Sequence, residues 1–481
     1  MRRNQQGLSH AEDRREGIGA AVLRCYAYSN QLNKTRVKVR GQMITRRRFL
    51  DGVAVGIAGA AVASTAKSYA QILGANERVN FAAIGLSGRG GAHLSALNAN
   101  KATARMAYCC DVDTKALATF SAGASKTLGY APIAEGDFRK ALESKDVDAI
   151  CIATPDHWHA PMAVLGLKAG KHVYVEKPSS HNPREGELLV AAQKKYRKLV
   201  QVGDQQRSAP MSIKLIQQIH DGLIGRPYFA KAWYENTRKS MGTGKVVPVP
   251  EWLNWELWQG PAPRSEYKDN IHPYNWHWLF RYGTGESLNN GTHEVDVCRW
   301  ALQAEYPDRV TASAGRYHFQ DDWQFYDTMV TSFEYPDKMI SWEGKCCNGM
   351  KYYNRGRGSL IQGTKGSVVL DRTSYEIYDP DGKKTSEFSE GNAASTGDLV
   401  GRDSMTDAHF ANFIAGIRTG EKLHSPIEVA NVSVTMLQLS NVAWRVNREL
   451  KLDNKTGHVV GDPEAMKLWG RTYEKGWEVT V

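Results

Sequence analysis

The sequence predicts an α/β N-terminal domain with a doubly wound parallel sheet, followed by an α+β domain with a large, mostly antiparallel sheet. Two observations carry this. From about residue 79 to residue 205, short apolar runs alternate with helical patterns, as in strand–helix–strand units. From Gly225 onward, strand-like runs follow one another with turn residues between them. A chain of 481 residues exceeds one ordinary domain, and its 42% hydrophobic content supplies ample core.

The first unit reads as a strand over Val79–Ile84, then Gly85-Leu86-Ser87-Gly88-Arg89-Gly90, then a helix from near Gly91. Small residues at such a turn let the backbone approach a pyrophosphate, and the helix N-terminus favours its charge. Ser87 stands where the G-x-G-x-x-G pattern has its middle glycine. A second strand, Ala104–Cys110, ends in Asp111, placed to meet the adenosine ribose hydroxyls. Asp111 with Asp113 would repel a 2′-phosphate, which favours NAD over NADP.

A further strand over 146–154 ends in Pro155-Asp156-His157-Trp158-His159, with a helix expected over 161–169. The next strand, 171–175, ends in Glu176-Lys177-Pro178. Chemistry in such sheets lies at the carboxyl ends of strands, which selects Asp156, His157, His159, Glu176 and Lys177. Gln205, Gln206 and Arg207 end another strand and are placed toward the same cleft.

In the second half, strands are expected at 228–234, 328–335, 339–342, 359–361 and 367–370. Helices over 407–418 and 427–448 return to the first domain. An aromatic stretch, Asn275-Trp276-His277-Trp278-Leu279-Phe280-Arg281-Tyr282, offers ring faces and polar donors suited to a sugar. At least two of Trp276, Trp278 and Phe280 read as core. No HExxH or cysteine-rich spacing occurs, so no metal is expected. The seven cysteines read as buried or reduced thiols.

The net charge is +11, yet thirteen Arg or Lys against four acids in residues 1–70 account for nine of it. The near-neutral remainder has no electrostatic footprint for nucleic acid. Residues 1–70 read as a leader. Thr45-Arg46-Arg47-Arg48-Phe49-Leu50 precedes a weakly hydrophobic run and Ser68-Tyr69-Ala70, a twin-arginine signal with a cleavage site. Met43 is an alternative start, and an uncleaved anchor is the alternative to cleavage. The expectation is a periplasmic or otherwise exported protein, carried folded by the twin-arginine translocation machinery, with no membrane span after cleavage.

With these motifs in place, the chain resembles the glucose–fructose oxidoreductase / inositol dehydrogenase / MocA (Gfo/Idh/MocA) family over roughly residues 78–455. The signature is the glycine turn, Ala153-Thr154-Pro155 with His159, Glu176-Lys177-Pro178, and Gly291-Thr292-His293-Glu294-Val295-Asp296. The resemblance implies an NAD(P)-binding Rossmann domain at 76–207. It implies a substrate and oligomerisation domain at 208–455, a tail at 456–481 and a homo-oligomer. It places Lys177 beside the nicotinamide and the substrate hydroxyl, and gives His293 the proton. The family's acid position is Asn289 here, which can hydrogen-bond a hydroxyl but cannot act as a base. Asp296 would orient the His293 imidazole. The cofactor set is then Gly85, Ser87, Gly88, Arg89, Gly90, Asp111, Thr154, Pro155, His159, Glu176 and Lys177. The substrate set is Gln205, Arg207, Trp276, His277 and Tyr282.

The activity so implied is hydride transfer between NAD and a hydroxyl-bearing carbon of a sugar, polyol or glycoside. Free NAD is scarce outside the cytoplasm, so a tightly bound cofactor is expected. Two alternatives stand beside it. One is an NAD-dependent glycosidase or sugar–sugar oxidoreductase with no net redox change. The other is a non-catalytic, cofactor-retaining sugar-binding protein, suggested by Asn289.

Overall fold

The computed structural model describes residues 78–390 and 404–481, so the leader and its twin-arginine motif lie outside the described residues. The first domain alternates strand and helix: β1 (Val79–Ile84), α1 (Gly90–Ala99), β2 (Ala104–Cys110), α2 (Thr114–Leu128), β3 (Ile133–Glu135) and α3 (Phe138–Glu143). It continues with β4 (Ala149–Ile152), α4 (Asp156–Lys168), β5 (His172–Val175), α5 (Pro183–Tyr196) and β6 (Val200–Val202). The strands are parallel, in the order β3-β2-β1-β4-β5-β6. Chain direction across the sheet reverses between β1 and β4, which opens a crevice at their carboxyl ends. Every residue of β4 is buried, as a strand covered by helices on both faces requires.

Local chemistry sets the helix ends. Asp113 caps α2 by accepting from Lys115 N and Ala116 N at 2.9 Å each, and Gly129 closes it in the left-handed region. Helix α4 begins at Asp156, five residues before the start expected from sequence. Pro161 therefore lies inside it and supplies no N–H to the carbonyl of His157. Arg471 fills that vacancy, donating from Nη2 to His157 O at 2.6 Å. Asp156, His157 and His159 thus stand on a helix turn rather than at a strand end.

The second domain runs through α6 (Pro210–His220), β7 (Pro227–Glu235), α7 (Trp255–Gln259), α8 (Glu286–Asn289) and α9 (Gly291–Leu302). Next come β8 (Arg309–Gly315), β9 (Thr328–Glu334), β10 (Met339–Lys345), β11 (Arg357–Gly363), β12 (Gly366–Leu370), β13 (Ser374–Tyr378) and β14 (Lys384–Ser389). Helices α10 (Ser404–Thr419) and α11 (Ile427–Val446) precede β15 (Leu450–Lys451) and α12 (Pro463–Met466). One nine-stranded sheet results, in the order β14-β13-β12-β11-β7-β10-β9-β8-β15. It is antiparallel throughout except for the β7–β10 pair. Val295 of α9 and Met436 of α11 join Phe333, Ile340 and Trp342 of the sheet in one core.

The last helices return to the first domain. Phe410 and Phe413 of α10 pack on Phe81 of β1, each with ring centroids 6.1 Å away. Gln438 of α11 donates to Ser180 O at 2.9 Å, just beyond β5. Among the described residues, no helix is long and apolar enough to cross a membrane.

Candidate active site

The glycine turn is dictated by packing. Gly85 has φ +84°, and a Cβ there would sit 2.5 Å from Ala153 O. A Cβ on Gly90 would meet Gly85 O at 2.6 Å, so Gly90 serves the close approach of α1 rather than the cleft surface. Gly88 and Ser87 face open space at the cleft. Asp111 ties the turn to β2, accepting from Leu86 N at 2.8 Å and from Asp113 N at 3.0 Å. Burial pushes the Asp111 carboxyl above its usual range, against the pull of these two bonds.

Beneath the turn lies a charged anchor. Arg89 Nε donates to Glu176 Oε1 at 2.9 Å, and Nη2 to Thr406 Oγ1 at 2.8 Å. Glu176 also meets His93 Nε2 at 3.0 Å and accepts from Gln205 Nε2 at 3.1 Å. Burial alone would raise the Glu176 carboxyl, but Arg89 and His93 hold it far below the usual range. Arg89, Glu176 and Gln205 line the cleft, yet these bonds make them its scaffold. His159 is spent likewise: Nδ1 lies 2.6 Å from Pro178 O and Nε2 2.8 Å from Thr154 O, tying the ends of β4 and β5 together.

The cleft runs from the glycine turn past Thr154 and Pro155 to Lys177 and His293. Near Asp111 its walls are apolar, with Val112, Phe138, Met162 and Leu257. Thr154 Oγ1 and Asn289 Nδ2 are buried without a hydrogen-bond partner. A glycine cradle, a carboxylate beside an apolar pocket, and unpartnered polar atoms along one groove fit a nicotinamide dinucleotide.

At the far end, Lys177 Nζ donates to the backbone carbonyl of Asn289. His293 stands on the first turn of α9 and lines the same cleft. Burial pushes its pKa well below the usual value, and Arg372, Lys177, Arg357 and Arg89 add to this, so the ring is neutral. His277 is also neutral: burial takes it to about 3. Its Nδ1–H donates to Tyr274 O at 2.6 Å, leaving Nε2 with the lone pair, and its ring stacks on Trp276 at 3.6 Å.

Besides Gly90, five residues expected at the cleft do not line it: His157, whose Nε2 lies 3.0 Å from Trp258 O, Gln206, which donates to Asp371 O at 3.0 Å, and Arg207, Asp296 and Tyr282. Arg207 and Asp296 pair with each other at 2.6 and 3.0 Å, and Ser433 Oγ adds a bond to Asp296 at 2.7 Å. Both are buried away from the cleft lining, and Asp296 balances a buried guanidinium instead of orienting His293. Tyr282 is core: its hydroxyl pairs with Ser265 Oγ at 2.7 Å, and its ring packs on Trp255 and Trp258. Conversely, Arg357 lines the cleft while bonded to both oxygens of Glu294, at 2.7 and 3.0 Å. Nothing local in the sequence marks it; pairing of β11 with β7, beside α9, delivers it. Among the described residues, no group of three or more His, Cys, Asp or Glu is arranged to hold a metal.

Residues 79–204 match the family described as "Oxidoreductase family, NAD-binding Rossmann fold", and residues 213–369 match "GFO/IDH/MocA C-terminal domain". An inositol 2-dehydrogenase of Rubrobacter xylanophilus is 32% identical over 164 residues, 34% of this chain and 46% of that protein. A glycosyl hydrolase family 109 protein of Saccharopolyspora erythraea is 30% identical over 210 residues, 40% of this chain and 45% of that protein. The chain thus spans less than half the length of these curated relatives. A levoglucosan dehydrogenase solved with NADH and levoglucosan superposes with a TM-score of 0.60 at 18% identity, covering 78% of this chain and 99% of that one. That likeness concerns the fold. The two matched domains together cover more than half of the residues, and the chain belongs to the Gfo/Idh/MocA oxidoreductase family, with an NAD-binding Rossmann domain at its N-terminal side.

Proposed function

We propose that this protein is an exported, NAD-dependent oxidoreductase that acts on a hydroxyl of a sugar or polyol. The carrying observation is one continuous cleft that starts at the glycine turn and ends between Lys177, His293 and His277. When bound, NAD supplies the hydride acceptor for the carbon bearing the hydroxyl. The Lys177 ammonium, held by the Asn289 carbonyl, polarises that hydroxyl. The neutral His293 takes its proton. His277 Nε2 accepts from a neighbouring hydroxyl, and Trp276 and Tyr274 present ring faces to the sugar. Asn289 Nδ2 is free to donate to a substrate oxygen. Export rests on the leader motif, and a tightly held cofactor follows from the scarcity of free NAD outside the cytoplasm.

The test is stopped-flow absorbance in the reduced-nicotinamide band with a broad panel of sugars and polyols. Substrate-dependent reduction supports the proposal, and its absence across the panel sinks it. The glycosyl hydrolase relative favours one second reading, in which oxidation, elimination and return leave no net redox change. Release of nitrophenol from a nitrophenyl glycoside without net cofactor reduction distinguishes it.

A further inference from the structure

Residues 236–283 lead from β7 toward α8; Met241 and Trp278 near their two ends pack in the core of the second domain, yet residues 252–272 between them lie against the first. Three sets of contacts fasten them there. Immediately beyond Asp111, Asn254 N donates to Val112 O at 3.0 Å and Thr114 N to Trp252 O at 2.9 Å. Beside these bonds, His272 Nε2 pairs with Asp113 Oδ2 at 3.0 Å, and the Lys115 ammonium lies 4.7 Å over the Trp252 ring.

The second set is at α4. The carbonyl of Trp258 accepts from Trp158 Nε1 at 2.9 Å and from His157 Nε2 at 3.0 Å. The third set comes from the chain's C-terminal end. Glu474 accepts from Arg264 N and donates its own N–H to Pro261 O, both at 3.1 Å. Trp477 packs edge-on against Trp158 at 5.1 Å. Between the first two sets, Leu257 and Trp258 form cleft wall together with Val112, Phe138 and Met162.

We infer that this segment is a lock over the adenosine end of the cleft, which retains the dinucleotide from one turnover to the next. The inference rests on the NAD reading above and names the residues that would make the cofactor a resident group. A lid on free hinges opens in microseconds to milliseconds. This segment opens only when backbone bonds, the buried His272–Asp113 contact and a tryptophan contact break together. The C-terminal tail holds the segment from outside the cleft, so part of the lock lies away from any cofactor contact.

The experiment uses the purified full chain loaded with NAD and measures exchange of bound nucleotide for isotopically labelled NAD, by gel filtration and mass spectrometry. The lock predicts about one NAD per chain and an exchange half-time of hours. Glu474→Ala with Trp477→Ala, and separately His272→Ala, should each speed exchange at least about tenfold, equivalent to ~1.4 kcal/mol. Complete exchange within minutes in the parent chain overturns the lock, as does unchanged exchange in both variants. Amide hydrogen exchange on the parent chain is a second test that needs no variant. Protection of Asn254 and Thr114 for hours supports the lock, and loss within seconds overturns it. A chain that takes up no NAD at any concentration overturns the NAD reading itself.

Discussion

Arg471 donates to the carbonyl oxygen of His157 at 2.6 Å, the acceptor left open because Pro161 has no N–H to give. The same guanidinium pairs with Glu185 at 2.6 Å, and Tyr473 donates to Glu185 at 2.7 Å. The tail therefore completes helix α4, which carries His157 and His159. Arg471→Ala leaves a buried carbonyl and a buried carboxylate short of a partner. It should destabilise the chain by about 3 kcal/mol, read as a lower denaturant midpoint with unchanged slope. Arg471→Lys should restore only part, because an ammonium cannot serve both acceptors with a planar fork.

Lys177 carries the second prediction. Its contact with the Asn289 carbonyl fixes the ammonium at the end of the cleft. Lys177→Met keeps much of the side-chain volume and removes the charge. It should lower kcat by about a hundredfold or more while NAD binding, measured by fluorescence titration, changes by less than about threefold. Equal loss of NAD binding and of kcat would mean that Lys177 acts on the cofactor site and not on the hydroxyl.

The glycine turn, Asp111 and Lys177 were legible in the sequence because each serves a local rule. A strand, a tight turn and a helix in succession leave little freedom for Gly85, Asp111 or a residue at the end of β5. Strands β1 and β2 match their expected limits for the same reason. The start of α4 was misplaced because Pro161 looks like a helix start, when its missing bond is made good by a residue 310 positions away. Arg207 was misplaced because it sits on a short 3-10 turn, Gln205–Ser208, beyond β6 and not at a strand end, and Asp296 because spacing along a helix does not tell which face is buried against which partner. Arg357 was invisible, since only the order of the nine-stranded sheet delivers it.

The Arg207–Asp296 pair yields the third prediction. Both groups are buried, and Arg207 holds the Asp296 carboxyl below its usual range although burial pushes it up. Asp296→Asn should lower stability by about 3–5 kcal/mol, because the Arg207 charge is left uncompensated. The pH profile of kcat/KM should keep its shape, since Asp296 does not touch His293. A shift of the acid limb in the Asn variant, measured on folded protein at low temperature, would restore the orienting role expected from sequence.

Buried histidines set the pH range in which the fold survives. Burial takes His157 and His277 to about 3, and His172 and His409 to about 4. His181 and His293 are also held well below the ordinary value. In the unfolded chain each titrates near its ordinary value of about 6.5, so unfolding takes up protons below that pH. Their contribution to stability is full above pH 6.5 and is lost as pH falls toward the folded values. Each fully buried ring weakens the fold by up to about 1.4 kcal/mol per pH unit in that window. Asp204, pushed up by burial to about 8, and Glu235, pushed up by burial to about 7, act in the opposite sense. Both carry a proton when folded that they lose on unfolding, so they add stability as pH falls. His93 and His424 are lowered too, and burial also raises Asp111 and Asp156, so eight histidines against four acids leave a net proton uptake. The melting temperature should therefore drop steadily from pH 6.5 to pH 4, and a flat profile across that window would show that the rings are protonated in the folded chain. His409 tests one ring by itself. Its Nε2 lies 2.8 Å from Val202 O and its Nδ1 2.6 Å from Ser208 Oγ. His409→Gln keeps a donor there without a titrating group, and should make the decline in melting temperature shallower by about one proton's worth.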